Sequence, residues 1–190
     1  MHQFTLFLPD YVYLLGLYLG DGSISTHARG VFRLRVTLDQ RYPGIIQECA
    51  RALRTVTDKD VVRSTPRTDS ACVDVSCYWK CWPCLFPQHG PGRKHHRRIV
   101  LTDWQETLVE RWPEMLLRGL VHSDGCRFIN TGRDWRHPRY GFSNRSEDIR
   151  GIFCATLDWL GVHWTAAPHT IYVSRKADVA RLDLFIGPKS

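Results

Sequence analysis

Two aspartates, Asp21 and Asp124, stand 103 residues apart, and each closes the same short pattern: LLGLYLGDG at 14–22 and LRGLVHSDG at 117–125. Each follows an apolar run of helical length and precedes a glycine that reads as a helix stop, so both carboxylates are expected at helix carboxyl ends. Such ends carry partial negative charge and free carbonyls, and two acids brought together there repel one another unless a cation sits between them. Carboxylate and carbonyl oxygens are the hard ligands that Mg²⁺ accepts, with waters and a substrate phosphate filling its remaining positions. On a basic chain, a two-carboxylate metal site suggests phosphodiester hydrolysis. A lone Asp-Gly after an apolar helix is commonly just a turn; its recurrence half a chain away in one register argues against that reading for the pair.

The elements that must position these acids repeat as well. Gly16 and Gly20 lie four apart, as do Gly119 and Ser123, so each motif helix carries a small-residue groove on one face. Packing through these grooves sets Asp21 and Asp124 side by side. After Gly22, residues 31–38 alternate apolar and polar with the period of a half-buried strand, Phe32, Leu34, Val36 and Leu38 opposite Arg33, Arg35 and Thr37. After Gly125 come shorter runs at 126–131 and 139–144, a hairpin with a long loop. Helices are expected at 43–56 and 147–160, the latter capped by Ser146, followed by hairpins pairing 61–63 with 72–76 and 163–165 with 170–174. The stretch 90–98, rich in Gly, Pro and basic residues, divides the chain into halves at 1–98 and 99–190.

Composition sets the partner class. Of 190 residues, 43% are hydrophobic and 24% charged, which suits a folded soluble core and excludes a disordered tail or a fibre. The longest apolar run, Tyr11 to Leu19, is too short for a membrane span, and the first residues lack a signal peptide's pattern, so no membrane partner and a cytoplasmic location are expected. The net charge of +7, from 26 Lys and Arg against 19 acids, favours an anionic partner. Arginine greatly outnumbers lysine; its planar fork suits guanine edges and phosphates, though a GC-rich genome yields the same bias. Cys81 and Cys84 have zinc-ligand spacing, but no second pair completes the pattern, and the seven cysteines are expected as free thiols.

The two motifs resemble the paired signatures of single-chain LAGLIDADG homing endonucleases. That resemblance implies an α+β fold: two pseudo-symmetric αββαββα halves packed through the motif helices, with two antiparallel sheets forming a saddle on DNA. It further implies a monomer that cuts both strands of duplex DNA with two or more Mg²⁺ ions. The ions would be held by Asp21 and Asp124 with the carbonyls of Gly20 and Ser123. By the same resemblance Lys94 and Lys189 fall near the scissile phosphates, and Asn144 orders the attacking water. The first half offers no clean counterpart of Asn144: apolar Leu38 lies near the expected place, with Asp39 or Gln40 as substitutes. On the saddle model, Arg29, Arg33 and Arg35 on one hairpin and Arg127, Arg133, Arg136 and Arg139 on the other face DNA. Alternatives within the same fold are a regulator that binds DNA without cutting it and an RNA maturase.

Overall fold

The structure is a computed structural model, and it describes residues 8–187 and 189. The first half runs α1 (Leu8–Asp21), β1 (Gly22–His27), β2 (Val31–Asp39), α2 (Pro43–Thr57), β3 (Arg63–Pro66), β4 (Cys72–Trp79) and a single turn, α3 (Trp82–Leu85). The second runs α4 (Asp103–Arg111), α5 (Pro113–Asp124), β5 (Gly125–Thr131), β6 (Arg136–Ser143), α6 (Glu147–Trp159), β7 (Thr165–Ala167), β8 (Thr170–Val173) and α7 (Lys176–Ile186). Two four-stranded antiparallel sheets repeat one topology, β1-β2-β4-β3 and β5-β6-β8-β7.

Local chemistry accounts for the boundaries. Pro43 starts α2 at a position where its missing N–H costs nothing, and Asp58, in the left-handed region at φ 51°, ends it. Ser146 caps α6, its Oγ accepting from Ile149 N, with Glu147 and Asp148 in the first turn. Helix α4 was not anticipated. Thr102 and Gln105 form a capping box at its start, and Pro113 both stops it and opens α5. Several strands slide by two or three residues from the expected runs: a turn from Asp60 to Val62 delays β3 to Arg63, and Gly161, at φ 64°, delays β7 to Thr165. The expected closing helix of the first half shrinks to α3, which has Pro83 in its first turn and is stopped by Pro87 just beyond its end.

Helices α1 and α5 lie against one another at the centre. Every side chain of α1 from Tyr11 to Leu19 is fully buried, as expected for a helix that is apolar all round. Their backbones touch through the small residues. A Cβ added to Gly119 would overlap the carbonyl of Tyr13 and lie 3.0 Å from Gly16 Cα, and one added to Gly16 would lie 2.6 Å from Leu116 O. A Cβ on Gly20 would strike the Ser123 side chain.

Polar ties lock the halves around this seam. Arg118 of α5 forks onto Glu48 of α2 with two bonds of 2.8 Å, and its Nη1 donates to the carbonyls of Phe185 and Ile186 at the end of α7. Burial and Arg118 push His122 down to about 4, so it is neutral, and it bridges Tyr13 Oη and Ile186 O at 3.0 Å each. The tautomer that satisfies both carries its proton on Nε2, donating to Ile186 O and accepting from Tyr13. The seven cysteines are free, and no helix of the described residues is long and apolar enough to cross a membrane.

Candidate metal centre and nucleic-acid interface

The last residues of α1 and α5 are Asp21 and Asp124, and both acids are half-buried where the two helices converge. Asp124 Oδ2 is 2.9 Å from the place a Cβ on Gly20 would occupy, so the absent side chain makes room for the second acid beside the first helix. Burial, then the neighbouring Asp124, pushes Asp21 up to about 7 against the opposing pull of Lys94 and Lys189. Asp124 is raised by burial too, but Asn144 resists the shift: its Nδ2 donates to Asp124 Oδ2 at 2.7 Å. The Asn144 amide cannot be reversed without loss, because its Oδ1 accepts from Ser146 N at 2.8 Å as α6 begins.

Each half's closing lysine returns to the end of its own motif helix. Lys94 Nζ donates to the carbonyls of Tyr18, Leu19 (3.0 Å) and Gly20 (2.9 Å), capping α1, while Lys189 Nζ donates to Gly125 O at 2.5 Å, beside the end of α5. An ammonium at a helix carboxyl end is favourable, yet burial draws Lys94 down to about 8 and lowers Lys189. The donor set suits a divalent cation: two carboxylates raised in pKa by desolvation and, at Asp21, by the neighbouring acid, with helix-end carbonyls beside them. The carbonyl of Gly20 already accepts from Lys94, so an ion using it must share it with that ammonium or displace it. Among the described residues no group of three or more His, Cys, Asp or Glu forms a metal site, and Cys81 and Cys84 gain no third ligand.

The raised Asp21 has a consequence for stability. Between pH 4 and about 7 the folded protein holds a proton there that the unfolded chain has lost, so this group's contribution falls as pH rises through that window. The full effect is on the order of 3–4 kcal/mol. In metal-free protein, Asp21→Asn is therefore expected to raise the thermal midpoint at pH 8 by several degrees and to change it little at pH 4.5. Differential scanning calorimetry at the two pH values checks this; an equal gain at both would place the strain elsewhere.

The register of each ladder decides which side chains leave the core. In the first sheet Arg33, Arg35 and Thr37 of β2 share the outer face with Ser76 and Tyr78 of β4 and Arg63 of β3. Arg33 donates to Ser76 Oγ, and Arg35 lies 3.7 Å from Asp74. Arg29 sits exposed at the hairpin tip with φ 61°. In the second sheet the same logic places Arg139 with Phe128 and Tyr172 on the outer face. Arg127 departs from expectation. It pairs with buried Tyr140 and so points toward the helices, where it forks onto Asp183 of α7 at 2.7 and 2.9 Å, and Tyr140 Oη donates to the same carboxylate. Arg136 shares that inner face but is exposed at the ladder's far end, and Arg133 is exposed in the loop. Arg63 and Tyr78 were missed, although the alternation from Val73 to Trp79 carried the signal for Tyr78.

The ladders also settle the missing partner. Gly22 pairs with Val36 and Gly125 with Phe142, so the residue two beyond is Leu38 in the first half and Asn144 in the second. Leu38 is 3% exposed, part of the core. Asp39, the candidate substitute, is held by Arg41 through bonds of 2.6 to 3.2 Å to both its oxygens.

No protein-family model matches the sequence, and no curated protein matches it. Solved structures do. The N-terminal LAGLIDADG domain of DUF199/WhiA aligns at TM-score 0.58 and 12% identity, over 99% of this chain and 85% of that one. The homing endonuclease I-WcaI, bound to its DNA recognition sequence, aligns at 0.60 and 13% over 97% and 83%. An I-DmoI variant, in complex with its target DNA and in the presence of manganese, aligns at 0.60 and 13% over 95% of each chain. At such identities the likeness establishes architecture: this chain has the LAGLIDADG fold, α+β with two four-stranded antiparallel sheets and seven α-helices among the described residues.

Proposed function

We propose that this protein is a site-specific endonuclease: as a monomer it binds duplex DNA across its two sheets and hydrolyses phosphodiester bonds beneath the duplex with divalent metal ions. The observation that carries this reading is the placement of Asp21 and Asp124 on adjoining helix ends, each driven toward its neutral form by burial and, at Asp21, by its neighbour. A pure binder gains nothing from buried acids facing phosphate, whereas a cation site does. Asp21 and Asp124, with the carbonyls of Gly20 and Ser123, would hold the ions. Ions held there would lower the pKa of water and steady the leaving oxygen. In the reaction a water oxygen joins phosphorus as one of its O–H bonds breaks, one ester P–O bond breaks, and the proton given up by the water is balanced by the one the departing oxygen takes. Lys94 and Lys189 supply positive charge beside the acids, and Asn144 orients Asp124 and opposes the rise that burial imposes on it. Arg29, Arg33, Arg35, Arg133, Arg136 and Arg139 are assigned to DNA, with Arg63 added. Arg127 is assigned to the protein's own packing.

The sequence-independent part of binding should be electrostatic. The logarithm of the duplex binding constant should fall linearly with the logarithm of salt concentration, by roughly 0.9 per phosphate neutralised. Arg33→Ala or Arg63→Ala is expected to lessen that slope by up to about 1, if the arginine holds phosphate, or to relax base preference if it reads a base edge. Fluorescence anisotropy over a salt series separates the two.

A second reading, a DNA-binding regulator that does not cut, is favoured by the Lys94 ammonium already seated on the Gly20 carbonyl. Incubating the protein with its best-bound duplex and Mg²⁺ or Mn²⁺ decides between them: strand scission supports the endonuclease, a shifted band without scission the regulator, and tighter binding to structured RNA than to the duplex a maturase.

A further inference from the structure

We infer that the two clefts beside the acid pair are unequal catalysts, and that this protein's main product is a strand-specific nick made on the Asp124 side. The inference rests on the endonuclease reading and refines it.

The clefts differ in each property that hydrolysis draws on. The one beside Asp124 has a volume of about 660 Å³, while the one beside Asp21 has about 240 Å³. The larger is lined by Arg93, Arg97 and Arg145, cations able to draw a phosphate in, besides Lys94, which is engaged at the end of α1. The smaller has Lys189 and Arg41, and Arg41 is spent on Asp39. In the larger cleft Asn144 grips Asp124 and its own amide is fixed by α6. The equivalent ladder position in the smaller cleft is Leu38, which cannot hold either a carboxylate or a water. Asp21 accepts no hydrogen bond from any described residue. Asp21 thus lacks the donor that orients Asp124, and misplacement of a reacting group by an ångström can cost on the order of 100-fold. Substrate capture and positioning therefore both favour one side, and the strand whose phosphate enters the Asp124 cleft is cut first. Asn144 acts here as a positioning residue, through Asp124.

The test uses the full chain and a supercoiled plasmid carrying the duplex it binds most tightly from a randomised pool, a selection that requires no cleavage. With Mg²⁺, open circles should accumulate at least 10-fold faster than linear plasmid, with scission on one strand on an end-labelled fragment. In Ca²⁺, phosphate ethylation interference should mark the scissile phosphate of that strand and not its counterpart. Asn144→Leu, which copies the first half, should slow that strand to the rate of its partner while duplex affinity holds. Leu38→Asn should speed the slow strand, its folding verified by thermal midpoint. Equal scission of both strands by the wild type overturns the inference and leaves the endonuclease reading standing. Binding without any scission overturns both. A strand preference that Asn144→Leu leaves unchanged overturns the inference alone.

Discussion

Asp21→Asn and Asp124→Asn each reduce scission at least about 1000-fold and leave duplex affinity within a few-fold of wild type. The argument is electrostatic. Replacing a carboxylate by its neutral isostere removes one of the two charges proposed to hold the cations, and loss of metal-assisted chemistry is worth several kcal/mol of transition-state stabilisation. Binding is expected to survive because the proposal assigns it to the arginines of the outer sheet faces, Arg33, Arg35, Arg63 and Arg139 among them. A slight tightening is expected, since each substitution removes a negative charge from the proposed phosphate-facing junction. The pair act as a unit, so the double variant should cost little more than either alone. Single-turnover kinetics beside a gel shift measure both quantities. Full scission by either variant refutes the metal role of that acid.

Gly119→Val is expected to destabilise the protein by more than about 4 kcal/mol, enough to unfold many domains. Its Cβ has no room: it would meet the carbonyl of Tyr13 and crowd Gly16, backbone against backbone, so no side chain can swing aside. Helices α1 and α5 would have to part, and with them Asp21 and Asp124. The milder Gly119→Ala tests the same contact with one methyl, and whatever folded protein it yields should lose scission more than it loses binding. Gly151→Ala is the control, since a Cβ there meets nothing within 4 Å and should be neutral or slightly stabilising. Urea unfolding of the three variants checks the order.

The architecture was largely legible because it is written twice. The repeated Gly and Asp register located both central helices, and the alternation from Val31 to Leu38 gave β2 and its two faces correctly. What escaped were features decided by tertiary context. Helix α4 is a polar nine-residue segment with a weak apolar stripe, and only its capping box and the proline after it define it. Arg127 looked like its neighbours in composition, but strand parity turns it inward, and parity could not be counted until the start of β5 at Gly125 was known. The contacts of Lys94 and Lys189 span 74 and 64 residues, so no local pattern could reveal that each caps a motif helix. Asn144 was chosen through the resemblance alone; its hydrogen bonds to Asp124 and Ser146 supply the physical reason for it. The same ladder arithmetic turned an ambiguity among Leu38, Asp39 and Gln40 into a definite asymmetry.

The most direct measurement is an anomalous difference map from crystals of the protein with its selected duplex and Mn²⁺. The account predicts manganese at the carboxyl ends of the two central helices, within bonding distance of both carboxylates and of phosphate oxygens. Manganese bound elsewhere, or a duplex lying on a surface remote from that junction, would contradict it.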